Sequence, residues 1–75
     1  MLVIMGDKTY EMSELEAWKL IDVAKNLVPK GIYAIEKTTF IELKNELYSD
    51  DNELNNAIAN YARKGFKVYF NGGKT

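Results

Sequence analysis

The chain predicts an α+β fold: a small, mostly antiparallel sheet in the order β-β-α-β-β-α-β, with two helices packed on one face. Three observations carry that expectation. Short β-branched and aromatic runs are separated by turn residues. Two stretches repeat apolar residues at helical spacing, each opened by capping side chains. A hydrophobic content of 47% with 28% charge, in 75 residues, fits one small globular domain, residues 1–75, ending in a frayed tail over 71–75.

Leu2 to Met12 reads as a β-hairpin around Gly6-Asp7-Lys8. A two-residue register puts Val3, Met5, Tyr10 and Met12 on one face and Leu2 and Ile4 on the other. A strand apolar on both sides belongs inside a sheet or under two covers. Ser13 opens the first helix, and Ser13-Glu14-Leu15-Glu16 is a capping box. Pro29 disfavours helical geometry at Val28, which sets the end near Leu27. Ala17, Leu20, Ile21, Ala24, Leu27 and Val28 form an apolar stripe; Leu15 and Trp18 lie off it, among Glu14, Asp22 and Lys25.

Gly31 to Glu36 is a strand rich in β-favouring residues. Residues 39–48 alternate as a strand, although Thr39-x-x-Glu42 also imitates a capping box; the β-branched and aromatic residues at the start favour strand. Ser49-Asp50-Asp51 opens the second helix. Leu54, Ala57, Ile58, Tyr61 and Ala62 form its stripe, and Gly65 takes the left-handed cap position. Phe66 to Phe70 is the last strand.

Composition narrows the chemistry. The chain has no histidine and no cysteine. The side chain that titrates near neutrality is missing, and so are the thiolate nucleophile, the disulfide and the usual zinc ligands. The sequence points to no catalytic residue, no cofactor and no metal. Asp50-Asp51-Asn52-Glu53 offers oxygens, but the spaced ligands and central glycine of a calcium loop are missing, and helix capping explains the cluster. Gly73-Lys74-Thr75 imitates the end of a phosphate loop without its earlier glycine or a following helix. No apolar run reaches membrane-spanning length, and the opening Met1 to Met5 is too short for a signal segment, so the expectation is a soluble, cytoplasmic protein.

Two function classes remain. Leu15 and Trp18, with Leu2 and Ile4, are an apolar excess beyond the two helix stripes. They point to a non-catalytic protein-binding module whose partner is another protein or a second copy of the chain, as in a homodimer. The Asn-, Lys- and Glu-rich composition fits an AT-rich source such as a phage or mobile element, where such a protein would act as an accessory or inhibitor. The alternative is a single-stranded nucleic-acid binder that stacks bases on a sheet face holding Tyr33, Phe40 and Tyr69 beside Lys37, Lys44 and Lys67. Net charge is -1, which gives nucleic acid no bulk electrostatic pull. Charge is nonetheless uneven, with five acids against one base from Glu42 to Asn56 and four bases without an acid from Tyr61 to Thr75.

Overall fold

A computed structural model of the chain describes residues 1–72. Strands β1 (Leu2–Met5) and β2 (Lys8–Glu11) form the hairpin. Helix α1 (Glu14–Leu27), strands β3 (Gly31–Lys37) and β4 (Phe40–Leu47), helix α2 (Asp51–Arg63) and strand β5 (Lys67–Asn71) follow. The α+β class and the element order are those the sequence predicts, and residues 40–47 are strand. The five strands form one sheet in the order β2-β1-β4-β3-β5, in which β1–β4 is parallel and the other pairs are antiparallel.

Local chemistry places the boundaries. The Glu16 amide donates to Ser13 Oγ at 3.2 Å, and the Ser13 amide donates to Glu16 Oε1 at 3.4 Å, completing the capping box. At α2, the Asn52 amide donates to Asp50 Oδ1 at 2.9 Å, and Lys30 reaches Asp51 at 2.6 Å. Gly65 ends that helix region with a φ of +91°. At Gly31, a Cβ would stand 1.9 Å from the Glu46 carbonyl oxygen, so β3 can open against β4 only with glycine. Asn71 belongs to β5 and is not part of a tail: its Nδ2 donates to the Lys25 and Val28 carbonyls at 2.8 and 2.9 Å. The rest of the expected frayed tail, and the Gly73-Lys74-Thr75 imitation, lie outside the described residues apart from Gly72.

The placement of the helices on one face is corrected. Ile21, Ala24 and Val28 pack with Tyr33, Ala34 and Ile41, while Leu54 packs with Ile32 and Ile35. Ala34 and Ile35 are neighbours in one strand and point to opposite faces. The helices therefore sandwich the sheet. The reason lies in the connections. β2-α1-β3 and β4-α2-β5 each join parallel strands and move the same way across the sheet, but the two strand pairs run in opposite directions. Crossovers of one hand must then carry their helices over opposite faces. A bulge between Ile32 and Ala34 lets β3 supply apolar side chains to both cores.

Candidate interaction surface

Ala17, Ile21 and Ala24 are the α1 residues that reach full burial, so the helix faces the sheet along a narrower stripe than expected. Leu27, assigned to that stripe, is 68% exposed. Around the rest of the helix stand Leu15 at 68%, Val23 at 56% and Trp18 at 38% exposed. Two apolar flanks result. On one, Leu20 and Val23 border a groove closed by Tyr10, Glu11 and Met12 at the hairpin edge. On the other, the Trp18 ring meets Tyr69 of β5 edge-on, 5.7 Å between centroids.

The interface residues expected from sequence fall into two places. Trp18 lies on the β5-side flank of α1 against Tyr69, and Leu15 stands one turn before it on the exposed outer face. Leu2 and Ile4 lie on the opposite sheet face, opposite Glu11 and Thr9 and alongside Phe40 and Glu42, away from the core that α2 builds. Leu2 is 40% exposed and Ile4 half-buried. The structure does not join the four into one patch.

The aromatic and basic residues proposed for nucleic acid are divided too. Tyr33 is buried beneath α1, 6.2 Å from Tyr69 between ring centroids. Lys67 stands over the Tyr69 ring at 5.3 Å on that face. Phe40 is on the other face, against Phe66 at 6.1 Å, with Lys37 over Phe66 at 4.6 Å. Helices cover part of both faces, so Tyr33, Phe40, Lys67 and Tyr69 form no common platform.

Polar clasps hold the layers in register. On the α2 face, Glu46 accepts from the Tyr61 hydroxyl at 2.6 Å and from the Tyr48 hydroxyl at 3.3 Å, with Lys44 at 3.6 Å. On the α1 face, the Tyr69 hydroxyl donates to Glu36 at 2.6 Å. Burial first, then the Glu36 carboxylate, pushes the Tyr69 phenol up to about 12. Burial and Glu46 raise Tyr61 and Tyr48 as well. A phenol held in its neutral form donates hydrogen bonds and is a poor base, so these clusters fix α2 and β5 in place. Among the described residues no group of acidic side chains converges as a metal site, and no helix is long and apolar enough to cross a membrane.

The sequence places Phe70 in the last strand but does not mark it as a surface residue; it is 42% exposed. Its signal was present in Val68-Tyr69-Phe70, an apolar run without the charge that usually marks an edge strand. No protein-family model, curated protein or solved structure matches this chain.

Proposed function

We propose that the chain is a non-catalytic protein-binding module that associates with a second copy of itself in the cytoplasm. One observation supports this above the others: α1 completes its share of the core and still exposes Leu15, Trp18, Val23 and Leu27. Full burial of such a side chain is worth about 1.5–3 kcal/mol, so this outer surface is a reserve of binding free energy that the isolated chain leaves unused. Tryptophan adds weight, because it is enriched among the residues that dominate interfaces.

Sedimentation equilibrium tests the reading when it is paired with Trp18 emission from low to high micromolar concentration. Self-association predicts a mass rising above 8.6 kDa together with a blue shift of the single tryptophan. A constant mass of one chain, with emission unchanged across the range, would remove self-association.

A further inference from the structure

We infer that the second copy docks edge to edge along β5, extending the sheet antiparallel across a two-fold axis at Tyr69. This rests on the self-association reading and assigns it a site. The sheet has two open edges, β2 and β5, and they differ in chemistry. β2 is Lys8-Thr9-Tyr10-Glu11, short and charged at both ends, a pattern that discourages pairing. β5 runs Lys67-Val68-Tyr69-Phe70-Asn71, apolar through its middle three residues on both faces.

The register follows from the turn between β3 and β4. Lys37 opposes Phe40 across a two-residue turn, which makes them a hydrogen-bonded pair. Alternation along β3 then points Glu36 and Ala34 toward β5, where they bond to Lys67 and Tyr69. The N–H and C=O groups of Val68 and Phe70 are left on the free edge. An antiparallel copy satisfies them when Val68 opposes Phe70 of the second copy and Phe70 opposes its Val68, adding about four main-chain hydrogen bonds.

Every side-chain consequence of that register is favourable. On the α2 face, Val68 and the exposed Phe70 form apolar cross-strand pairs. On the α1 face, the two Tyr69 rings meet at the axis, and the Trp18 ring of each copy, packed on its own Tyr69, stands beside it. Lys67 stands opposite Asn71, so no like charges face each other. α2 packs over β3 and β5, which places the two α2 helices at roughly the 8–10 Å spacing of packed helices. Tyr61, Ala57 and Asn60 of α2 look toward Glu46 of β4 and Tyr48 just beyond its end. The flank turned toward the axis therefore carries the small residues Ala59 and Ala62, which permit close approach.

The test compares three variants by sedimentation equilibrium and Trp18 emission, with circular dichroism as the check on folding. Phe70→Pro removes an amide that points to the free edge, and Phe70→Lys places a charge there without altering the backbone. Val23→Lys marks the other flank of α1. The expected result is that both Phe70 variants weaken self-association by about a hundredfold or more and lose the concentration-dependent blue shift, while Val23→Lys stays within about threefold of the parent. If Phe70→Pro fails to fold, Phe70→Lys decides alone. Self-association that survives Phe70→Lys and is lost in Val23→Lys overturns the β5 assignment and leaves the broader reading standing. A parent chain that remains monomeric throughout overturns both.

Discussion

α1 and α2 do the same structural work on opposite faces of one sheet, yet they present opposite outer surfaces. α2 turns Asn52, Glu53, Asn56, Asn60 and Arg63 to solvent. α1 turns out Leu15, Trp18, Val23 and Leu27 among its charges. Helix propensity does not explain the difference: leucine is a good helix former, but tryptophan and valine are worse than the lysine or glutamine that would serve in water. The comparison separates what a fold requires of a helix from what is left over. α2 is a one-sided amphipathic helix whose sequence is used up by the core; α1 carries apolar surface that the monomer does not use.

The largest expected effect tests whether the two helices are equal as core elements. Leu54 is 0% exposed and is the buried anchor of α2; Ile21, at 3%, is its counterpart in α1. Truncating either to alanine is expected to cost about 2–5 kcal/mol, read as a shift in the urea midpoint. For a domain of this size, with roughly 4–11 kcal/mol in all, that is a large share of its stability. A loss below about 1 kcal/mol in Ile21→Ala alone would show that α1 is loosely docked and that its outer residues cannot be called surplus.

A smaller effect comes from pH and compares the clasps on the two faces. Tyr69, raised to about 12, holds Glu36 on the α1 face; Tyr61 and Tyr48, also raised, hold Glu46 on the α2 face. Each folded-state pKa lies above the ordinary value of 10.0, so the folded chain keeps these protons more tightly than the unfolded chain does. Their contribution is complete below pH 10 and is lost as pH rises through the folded values, with the Tyr69 part surviving to about pH 12. Tyr69→Phe is expected to cost about 1 kcal/mol at neutral pH and to flatten the alkaline fall most. Phenolate absorbance against pH, read beside the unfolding midpoint, checks both; a fall of equal size in Tyr69→Phe and in the parent would sink the assignment.

Features that depend on near neighbours in the chain were legible in the sequence. The capping box at Ser13, the stop before Pro29, the Gly65 cap and the hairpin register that separates Leu2 and Ile4 from Val3 all follow from contacts within a few residues. The strand at 40–47 was legible for a related reason: Phe40 and Ile41 favour a pleated backbone. The faces occupied by the helices were not legible. That choice depends on the strand order and on the hand of two crossovers, neither of which leaves a local mark. The same gap explains the site. Tyr33 and Phe40 read as companions until the topology put them on opposite faces, and β5 could not be recognised as an edge before the sheet was assembled.

Helix caps offer a finer comparison. Ser13→Ala and Asp50→Ala each remove a side-chain acceptor for a first-turn amide and are expected to cost about 1 kcal/mol in the unfolding midpoint. Ser13→Ala should be the worse of the two, because the Ser13 hydroxyl also donates to Glu16 Oε1 at 3.3 Å and that contact is lost with it. Equal losses would mean that the hydroxyl's own contact with Glu16 adds nothing.

The smallest expected effect is the most informative about α1. Leu27→Gln changes a residue that is 68% exposed at the end of the helix, on the flank away from Trp18. If that leucine belonged to the core stripe, its loss would cost several kcal/mol, because truncation of a buried leucine leaves a cavity. The structure places it outside the core, where a surface substitution stays within about 0.5 kcal/mol and glutamine keeps helix propensity nearly constant. Urea unfolding at low micromolar concentration isolates the monomer term, since any dimer contribution fades with dilution. An unchanged midpoint sharpens the contrast with Leu54, one leucine holding the fold and the other only exposed by it. A drop beyond about 1 kcal/mol would mean that the α1 flank is buried in solution, and the two helices would then differ in depth of packing and no longer in purpose.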